Sequence, residues 1–387
     1  MFCFQNAAQE SFAEAGCSAC GWLIRGPNWK KTGGRKVGKD GKMRENFQQL
    51  VGDNCSGVCP EALAAIAEAN QGSAASYGED RWTALACEKL REWFETDCEI
   101  FFVFNGTAAN GLALAHLCRS YQSIVCTAVS HIETDECGGP EFFTHGAKLL
   151  HAGSGSGKLT VPDIERVVRK RRDIHYPRPR VVSLTQATEL GTVYSVDELK
   201  TLGEAAAEHR LRLHMDGARF VNAVAELGVK PREISWECGI DVLSLGGTKN
   251  GLLGSEAVIF FNRELAGEFD FRCKQAGQLA SKMRFMAAQW LGVLDGDVLL
   301  ANAKHANAMA ERLTEGMLRL GRAPMFRRQA NSVFVELPER AMAHLKKCGW
   351  LFYTFIGAGG ARFMCSWNTS PETVDRFLED LKQGLAE

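Results

Sequence analysis

Two stretches of sequence decide the fold, LHMDGAR at residues 213–219 and LSLGGTKNG at residues 243–251. Each begins as an apolar run, which is typical of a buried strand, and each ends in a turn of small residues. Asp216 closes the first strand, and Lys249 lies between glycines just after the second. Because ligands of α/β sheets bind beyond the carboxyl ends of the strands, this carboxylate and this amine indicate a shared ligand site.

The segments around these stretches alternate between strand and helix patterns. Helical patterns begin at Pro60 and recur at 82–94, 108–119, 164–171 and 196–209. Apolar, strand-like runs lie at 99–104, 123–128, 180–184, 211–215, 241–245 and 257–261. Strands that alternate with helices predict an α/β domain whose mostly parallel sheet is covered by helices on both faces.

The last part of the chain shows a different pattern. Long helical patterns at 276–294 and 298–320 precede strand-like runs at 332–337, 351–355 and 362–365, with helices at 339–348 and 371–385. This order predicts a smaller C-terminal α+β domain. We therefore expect a flexible N-terminal extension at 1–46, a large domain at 47–295 and the small domain at 296–387.

The composition is that of an ordinary globular protein, with 45% hydrophobic and 24% charged residues in a chain of 387. The net charge of -1 predicts no nucleic-acid partner, and no apolar run approaches the ~20 residues that span a membrane. The 14 cysteines are scattered, which favours reduced thiols and a cytoplasmic location. Cys17 and Cys20 form a C-x-x-C pair, but no further ligands complete a zinc site.

A third stretch, FNGTAAN at residues 104–110, adds a candidate anion site. A strand there runs into a turn that opens a helix, and the N–H groups of Gly106 and Thr107 with the threonine hydroxyl suit a phosphate. Each stretch also has an ordinary interpretation. Asp216 could cap a helix, Lys249 could be a solvated lysine in a turn, and the third stretch could be a plain helix start.

The three stretches together provide a phosphate site, a carboxylate and a lysine, each at the carboxyl end of a strand. Pyridoxal 5′-phosphate (PLP) requires this set, because it needs a lysine for its aldehyde, an acid at its pyridine nitrogen and donors for its phosphate. The arrangement resembles that of the PLP-dependent enzymes of fold type I. The sequence therefore predicts a PLP enzyme with this transferase-like fold.

From about residue 46 onward, the chain resembles the low-specificity L-threonine aldolases of the β-eliminating lyase group. Seven landmarks occur in the family's order, which makes the resemblance specific although each landmark is short. They are GDN at 52–54, ASYGED at 75–80, NGTAAN at 105–110, SHIE at 130–133, HMDGAR at 214–219, GTKNG at 247–251 and ARF at 361–363. The resemblance implies a lyase that cleaves L-threonine, L-allo-threonine and similar β-hydroxy-α-amino acids to glycine and an aldehyde.

The resemblance also implies a role for each matching cofactor residue. Lys249 is expected to hold PLP covalently, Asp216 to pair with the pyridine nitrogen, and Arg219 to lie beside the phenolic oxygen. Gly106 and Thr107 are expected to bind the phosphate.

Further residues are expected to act on the ring and on the substrate. His131 resembles the imidazole that stacks on the ring and helps to move a proton. Asp53 and Arg362 are expected to contact the substrate, with Arg362 as the clamp for its carboxylate. Tyr77 and Arg284 resemble residues that reach the substrate and the cofactor from a neighbouring subunit, so the resemblance implies a homodimer or homotetramer.

One position departs from the family. Better-known members carry a histidine in the loop after the strand that ends near Leu184, where this chain has Glu189. A glutamate could act as the base for the substrate hydroxyl if burial raised its pKa toward neutrality, and the identity of the base stays open. Glu133 and Asp135 could coordinate a metal, but two carboxylates alone are weak evidence and no metal is expected.

Two other functions stay open at this stage. Another PLP reaction on the same scaffold, such as β-elimination or transamination, would use the same cofactor residues. A binding protein on a decayed PLP fold would not need them. The presence of Lys249, Asp216 and Arg362 in one chain argues against that second alternative.

Overall fold

The structure is a computed structural model that describes residues 24–25, 48–153, 155–355 and 360–386. The predicted N-terminal extension at 1–46 lies outside these residues apart from 24–25, and Cys17 and Cys20 lie outside them as well. Within the described part, no helix is both long and apolar enough to cross a membrane.

The strands and helices are numbered in chain order. The strands are β1 (Ile24–Arg25), β2 (Gln48–Gln49), β3 (Glu99–Val103), β4 (Gln122–Thr127), β5 (Lys148–Ala152), β6 (Arg178–Thr185), β7 (Arg212–Gly217), β8 (Val242–Gly246), β9 (Glu256–Phe260), β10 (Ser332–Glu336), β11 (Trp350–Leu351), β12 (Tyr353–Phe355) and β13 (Gly360–Met364). The helices are α1 (Pro60–Ala69), α2 (Arg81–Phe94), α3 (Gly106–Leu117), α4 (His131–Thr134), α5 (Gly139–Phe143), α6 (Val161–Lys170), α7 (Val196–Glu208), α8 (Phe220–Leu227), α9 (Phe269–Gln275), α10 (Arg284–Leu294), α11 (Val298–Arg319), α12 (Glu339–Lys347) and α13 (Pro371–Ala386). Short 3-10 turns lie at Asp53–Cys55, Pro231–Ile234, Trp236–Cys238, Thr248–Asn250, Arg263–Leu265 and Asp295–Asp297.

A seven-stranded sheet contains the two stretches that decide the fold. Its strands lie in the order β3-β9-β8-β7-β6-β4-β5, and all point the same way except β9, which is antiparallel to β8 and β3. Alternate strand residues face opposite sides, so Leu243 and Leu245 join one core cluster and Val242 joins the other. Helices α2, α7 and α8 contribute to the first cluster, and α3 and α9 contribute to the second. The mostly parallel sheet with helices on both faces is confirmed.

The C-terminal part forms the predicted smaller α+β unit. Strands β1, β12, β13 and β10 make an antiparallel sheet in that order, while β2 pairs with β11 in a separate two-stranded sheet. Helices α11, α12 and α13 pack around Phe363 and Phe377 in a core of their own. The turn Asp295–Asp297 connects α10 to α11, with Gly296 at a φ of 64°. The domain limits at residues 46 and 295 stay predictions.

One predicted helix is wrong. The pattern at 276–294 predicts a single long helix, but α9 ends at Gln275 and α10 begins only at Arg284. Gly277 adopts a φ of 70°, which lies outside the right-handed helical region, so the helix cannot continue through it. The apolar spacing in the sequence nevertheless continues across this turn. Strands β1, β2 and β5 and helices α4, α5, α8 and α9 were not predicted.

Strand β8 lies against the turn that follows β7. The two strands are neighbours, with Asp216 opposite Ser244. A Cβ atom on Gly246 would lie 2.5 Å from the carbonyl oxygen of Ala218 and 2.7 Å from its Cα. Glycine at this position therefore allows the carboxyl ends of the two strands to lie close together.

Gly246→Ala is expected to lower the free energy of unfolding by about 1–3 kcal/mol, because backbone atoms of Ala218 must move to accommodate the methyl group. Gly267→Ala is the matched control, since nothing lies within 4 Å of the Cβ that it adds. Urea unfolding followed by circular dichroism measures both variants. If the two variants were equally stable, close packing at Gly246 would not hold the strand ends together.

Candidate active site

Lys249 lies in the 3-10 turn that follows β8. The turn is fixed on α11, because the Asn250 side chain donates to the carbonyl of Leu299 (2.7 Å) and Asn302 donates to the carbonyl of Asn250 (3.0 Å). Lys249 is partly buried and has no hydrogen bond or ion pair with the residues that the structure describes. Burial and the positive charge of Arg219 lower the pKa of Lys249, which favours its neutral, nucleophilic form.

Asp216 ends the neighbouring strand β7 and is 4% exposed. One carboxylate oxygen accepts a hydrogen bond from the N–H of Ala218 (3.0 Å), and the other accepts from the amide of Asn110 (2.8 Å). Burial alone would raise the pKa of Asp216, but the charges of His131 and Lys249, with these hydrogen bonds, lower it. The carboxylate is therefore ionised at neutral pH and can pair with a cation in front of it.

The predicted anion site is the N-terminus of α3, which begins two residues earlier than expected. Asn105 caps the helix, because its side-chain oxygen accepts from the N–H of Ala108 at 2.9 Å. The N–H groups of Gly106 and Thr107 have no acceptor within the helix, and the positive end of the helix dipole lies at this point. The start of α3 therefore suits an anionic group.

The ends of β7 and β8 and the start of α3 open into one cavity of about 380 Å³. Five residues that were predicted to bind the cofactor line it: Gly106, Thr107, His131, Asp216 and Lys249. A smaller cavity of about 40 Å³ shares all of these residues except Thr107 and adds Glu189 and Arg219. The structure thus brings together the residues that the sequence placed at separate strand ends.

Asn110 connects two acids of the site through hydrogen bonds. Its amide nitrogen donates to Glu136 and to Asp216, in each case at 2.8 Å, and Glu136 contacts Nδ1 of His131 at 2.8 Å. Burial alone would lower the pKa of His131, but the hydrogen bond with Glu136 and the charge of Asp216 raise it. These hydrogen bonds therefore orient the imidazole and favour its protonated form.

His131, Glu136 and Asp216 also have the spacing of metal ligands. Their ligand atoms lie within 4.8 Å of one another, and no other such group occurs among the described residues. The hydrogen bonds through Asn110 already account for this proximity. Glu133, one of the two carboxylates considered for a metal from the sequence, instead pairs with His151 at 2.9 Å.

Glu189 lies next to His131. One of its oxygens accepts from the N–H of His131 at 2.7 Å and from the hydroxyl of Thr185 at 2.9 Å. The other oxygen is buried without a hydrogen-bond partner in the described part of the chain. Burial, and then the negative charge of Asp216, raise the pKa of Glu189 to about 7. A carboxyl with this pKa is divided between acid and base at neutral pH, which suits proton transfer.

Arg219 forms a buried ion pair with Asp53. Its Nε and one Nη donate to the two carboxylate oxygens at 2.7 and 2.9 Å, and Asn331 donates to the same carboxylate at 3.1 Å. Burial alone would raise the pKa of Asp53, but the charge of Arg219 lowers it. The pair fixes the guanidinium at the wall of the smaller cavity and engages both oxygens of Asp53, so direct contact of Asp53 with a substrate stays a prediction.

Arg362 lies on β13 in the antiparallel sheet and is not part of the lining of either cavity. Its guanidinium stacks on the ring of Tyr353 at 4.5 Å, and its Nε is buried with no hydrogen-bond partner among the described residues. Burial and the charge of Arg219 lower the pKa of Arg362 to about 10, so it stays charged at neutral pH. A buried cation with an unused donor suits a carboxylate ligand.

Tyr77 and Arg284 line neither cavity of this chain. Tyr77 is 47% exposed, with the ammonium of Lys274 at 4.3 Å from the centre of its ring. Arg284 begins α10 and donates to the carbonyl of Gly72 at 3.2 Å. Their roles in a neighbouring subunit's site stay predictions.

Sequence reasoning missed the parts played by Asn110 and Glu136. Asn110 follows Gly106 by one helical turn, and this spacing is the signal that places its side chain on the same side of α3 as the helix start. Glu136 follows His131 by five residues and lies beyond the short helix α4, where no periodic pattern relates the two. Only the folded chain brings them within hydrogen-bond distance.

Known sequences extend these findings. The profile of the β-eliminating lyase family matches residues 49–340. The low specificity L-threonine aldolase of Pseudomonas aeruginosa is 58% identical over 341 residues, which cover 88% of this chain and 99% of that protein. The enzyme of the same name from another Pseudomonas strain is 55% identical with the same coverage.

Solved structures show the same fold. The threonine aldolase of Leishmania major is similar with a TM-score of 0.82 and 29% identity, and the match covers 87% of this chain and 98% of that one. The aspartate aminotransferase of Thermus thermophilus has a TM-score of 0.65 at 14% identity over 88% of this chain and 92% of its own, which shows the fold alone. The fold is that of the PLP-dependent enzymes of fold type I, as predicted. By its profile match and its close relatives, the chain is a lyase that belongs to the β-eliminating lyase family.

Proposed function

We propose that this chain is a PLP-dependent aldolase that cleaves L-threonine, L-allo-threonine and similar β-hydroxy-α-amino acids to glycine and an aldehyde. The observation that carries the proposal is that Lys249, Asp216 and the start of α3 line one shared cavity. The names of the two Pseudomonas relatives support it, since both are more than half identical to this chain over nearly their whole length.

The side chains around the cavity fit PLP. Lys249 has a lowered pKa and no competing partner among the described residues, as a covalently reacting amine requires. Asp216 would hold a proton on the pyridine nitrogen, and the N–H groups at the start of α3 would bind the phosphate. Arg219 and His131 would lie at the phenolic oxygen and at the face of the ring. When bound, PLP withdraws electrons from the bonds of the substrate α-carbon.

Arg362 would determine which of these bonds breaks. Its Nε has no hydrogen-bond partner among the described residues, and a substrate carboxylate bound there would fix the rotation of the amino acid about its Cα–N bond. This rotation decides which bond at Cα is aligned for cleavage. Alignment of the Cα–Cβ bond selects release of the aldehyde over the other reactions of PLP enzymes.

Glu189 is the best candidate for the base that takes the proton of the β-hydroxyl. It lines the smaller cavity with Lys249, has one buried oxygen without a partner among the described residues, and has a pKa of about 7. His131 has a raised pKa and is held by Glu136, so it is better suited to supply a proton than to remove one. The two groups would therefore divide the acid and base roles.

A second copy of the chain would complete the active site in a homodimer or homotetramer. Tyr77 and Arg284 line neither of the two cavities described above. Phe104 and Leu253 line the larger cavity and yet are 61% and 62% exposed. Such an apolar rim around a polar cavity suits burial against another copy.

A cytoplasmic location is also part of the proposal. Every cysteine in the described part of the chain is free, and Cys55 and Cys137 are exposed as well. Exposed free thiols persist in a reducing compartment.

Purified chain supplied with PLP is expected to release acetaldehyde from L-threonine, and Lys249→Ala is expected to lower the rate at least about a hundredfold. Lys158→Ala is the control, because Lys158 pairs with Glu198 at the surface. Acetaldehyde is measured with a coupled dehydrogenase, and pyruvate from serine is measured in parallel. Full turnover by Lys249→Ala would remove the lysine from the mechanism, and pyruvate without acetaldehyde would favour β-elimination.

With PLP saturating, kcat/KM for L-threonine is expected to rise with pH through about 7, because Glu189 acts as a base only when it is ionised. Glu189→Gln is expected to lose this rise and to be about 10²–10⁴-fold slower. Glu133→Gln is the control, since that carboxylate pairs with His151. A Glu189→Gln enzyme with the wild-type pH profile would assign the base to another group.

A further inference from the structure

An acid lies in the wall of the cavity where an anion is expected. Glu256 is the first residue of β9, is 6% exposed and lines the cavity of about 380 Å³ together with Gly106 and Thr107. The sheet register sets Glu256 opposite Val103 on one side and Gly246 on the other. Val103 precedes the start of α3, and Gly246 precedes the turn that contains Lys249. Glu256 therefore lies between the start of α3 and that turn.

The carboxylate of Glu256 forms its hydrogen bonds with the backbone and side chains next to Lys249, in the turn Thr248–Asn250 and the glycine before it. One of its carboxylate oxygens accepts from the N–H of Gly247 at 2.6 Å. Burial raises the pKa of Glu256 to about 7, although hydrogen bonds with Thr248 and Gly247 and the charge of Lys249 oppose the shift. Its charge near neutral pH therefore depends on what enters the cavity.

Within one chain, the described residues that line the cavity include no arginine to face a phosphate. Lys249 and His131 are the two residues among the described lining residues that can carry a positive charge. Asp216, Asp135 and Glu256 are acids in the same lining. An anion beside an ionised Glu256 would be repelled, whereas a protonated carboxyl has an O–H that can donate to it.

We propose that Glu256 takes up a proton when the phosphate group of the cofactor binds, so that its neutral carboxyl forms part of the phosphate site. The inference rests on the proposed function, since it names a further residue of the same cofactor site. If Glu256 were a purely structural acid, it would accept the hydrogen bond from the N–H of Gly247 and stay ionised when the phosphate binds.

Glu256→Gln distinguishes these two roles. The amide oxygen of glutamine can accept from the N–H of Gly247, and its NH₂ group can donate to a phosphate. Glutamine does not titrate, however, so the variant keeps the hydrogen bonds and loses the proton uptake. The probe is 4′-deoxypyridoxine 5′-phosphate, which keeps the phosphate but has no aldehyde to react with Lys249.

Calorimetry at pH 8 in two buffers of different ionisation enthalpy counts the protons taken up on binding of this probe. With a pKa of about 7, about nine tenths of Glu256 is ionised in the empty cavity at that pH, so the wild-type chain is expected to take up about 0.9 proton more than Glu256→Gln. Between pH 8 and 9, wild-type affinity is expected to fall about tenfold more than that of the variant. The analogue without the phosphate is expected to show no difference between the two proteins.

An infrared difference spectrum gives a second measurement, because the wild-type chain should gain a protonated carboxyl band when the probe binds at pH 8 and Glu256→Gln should lack that band. Equal proton uptake by wild type and variant, or a band that does not appear, would overturn the inference. So would an equal difference with the phosphate-free analogue. Failure of the wild-type chain to bind either PLP or the probe would overturn the proposed function as well, so the two failures are distinguishable.

Discussion

The parallel pairing of β7 with β8 is the constraint on which the site depends. Parallel strands end at the same edge of a sheet, and the register sets Asp216 opposite Ser244, five residues before Lys249. The close contact between Gly246 and Ala218 brings the turns beyond the strands together. Backbone hydrogen bonds therefore set the separation of the carboxylate from the amine, and a slip of one residue would turn Asp216 to the opposite face.

The ionisable groups at this edge fall into two kinds. Asp53 and Asp216 have lowered pKa values because cations outweigh the effect of burial. Glu189 and Glu256 have pKa values raised to about 7, because burial outweighs their hydrogen bonds. The first kind fixes charges in place, and the second kind can exchange protons at neutral pH. Such a separation of pKa values within one site is how neighbouring carboxyls take different roles.

The parts of the site that were predicted from the sequence are those whose signal is local. The ends of β7, β8 and β3 each combine an apolar run with a distinctive turn, and this is enough to place Asp216, Lys249 and the start of α3. The hydrogen bond between Asn110 and Glu136 spans 26 residues, and the pair of Asp53 with Arg219 spans 166, so no periodic pattern contains them. The break between α9 and α10 was missed because the apolar spacing continues through the turn. Pairings of this kind depend on the tertiary fold.

Arg362 and Lys249 belong to different hydrophobic cores. Arg362 lies on a strand of the antiparallel sheet, whose core includes Phe363, whereas Lys249 follows a strand of the large sheet. An amino acid bound at its carboxylate by Arg362 and held at its amine end by the cofactor in the cavity of the large sheet would bridge the two cores. The substrate would then act as a removable cross-link, and its presence would oppose separation of the two units as heat or denaturant is applied.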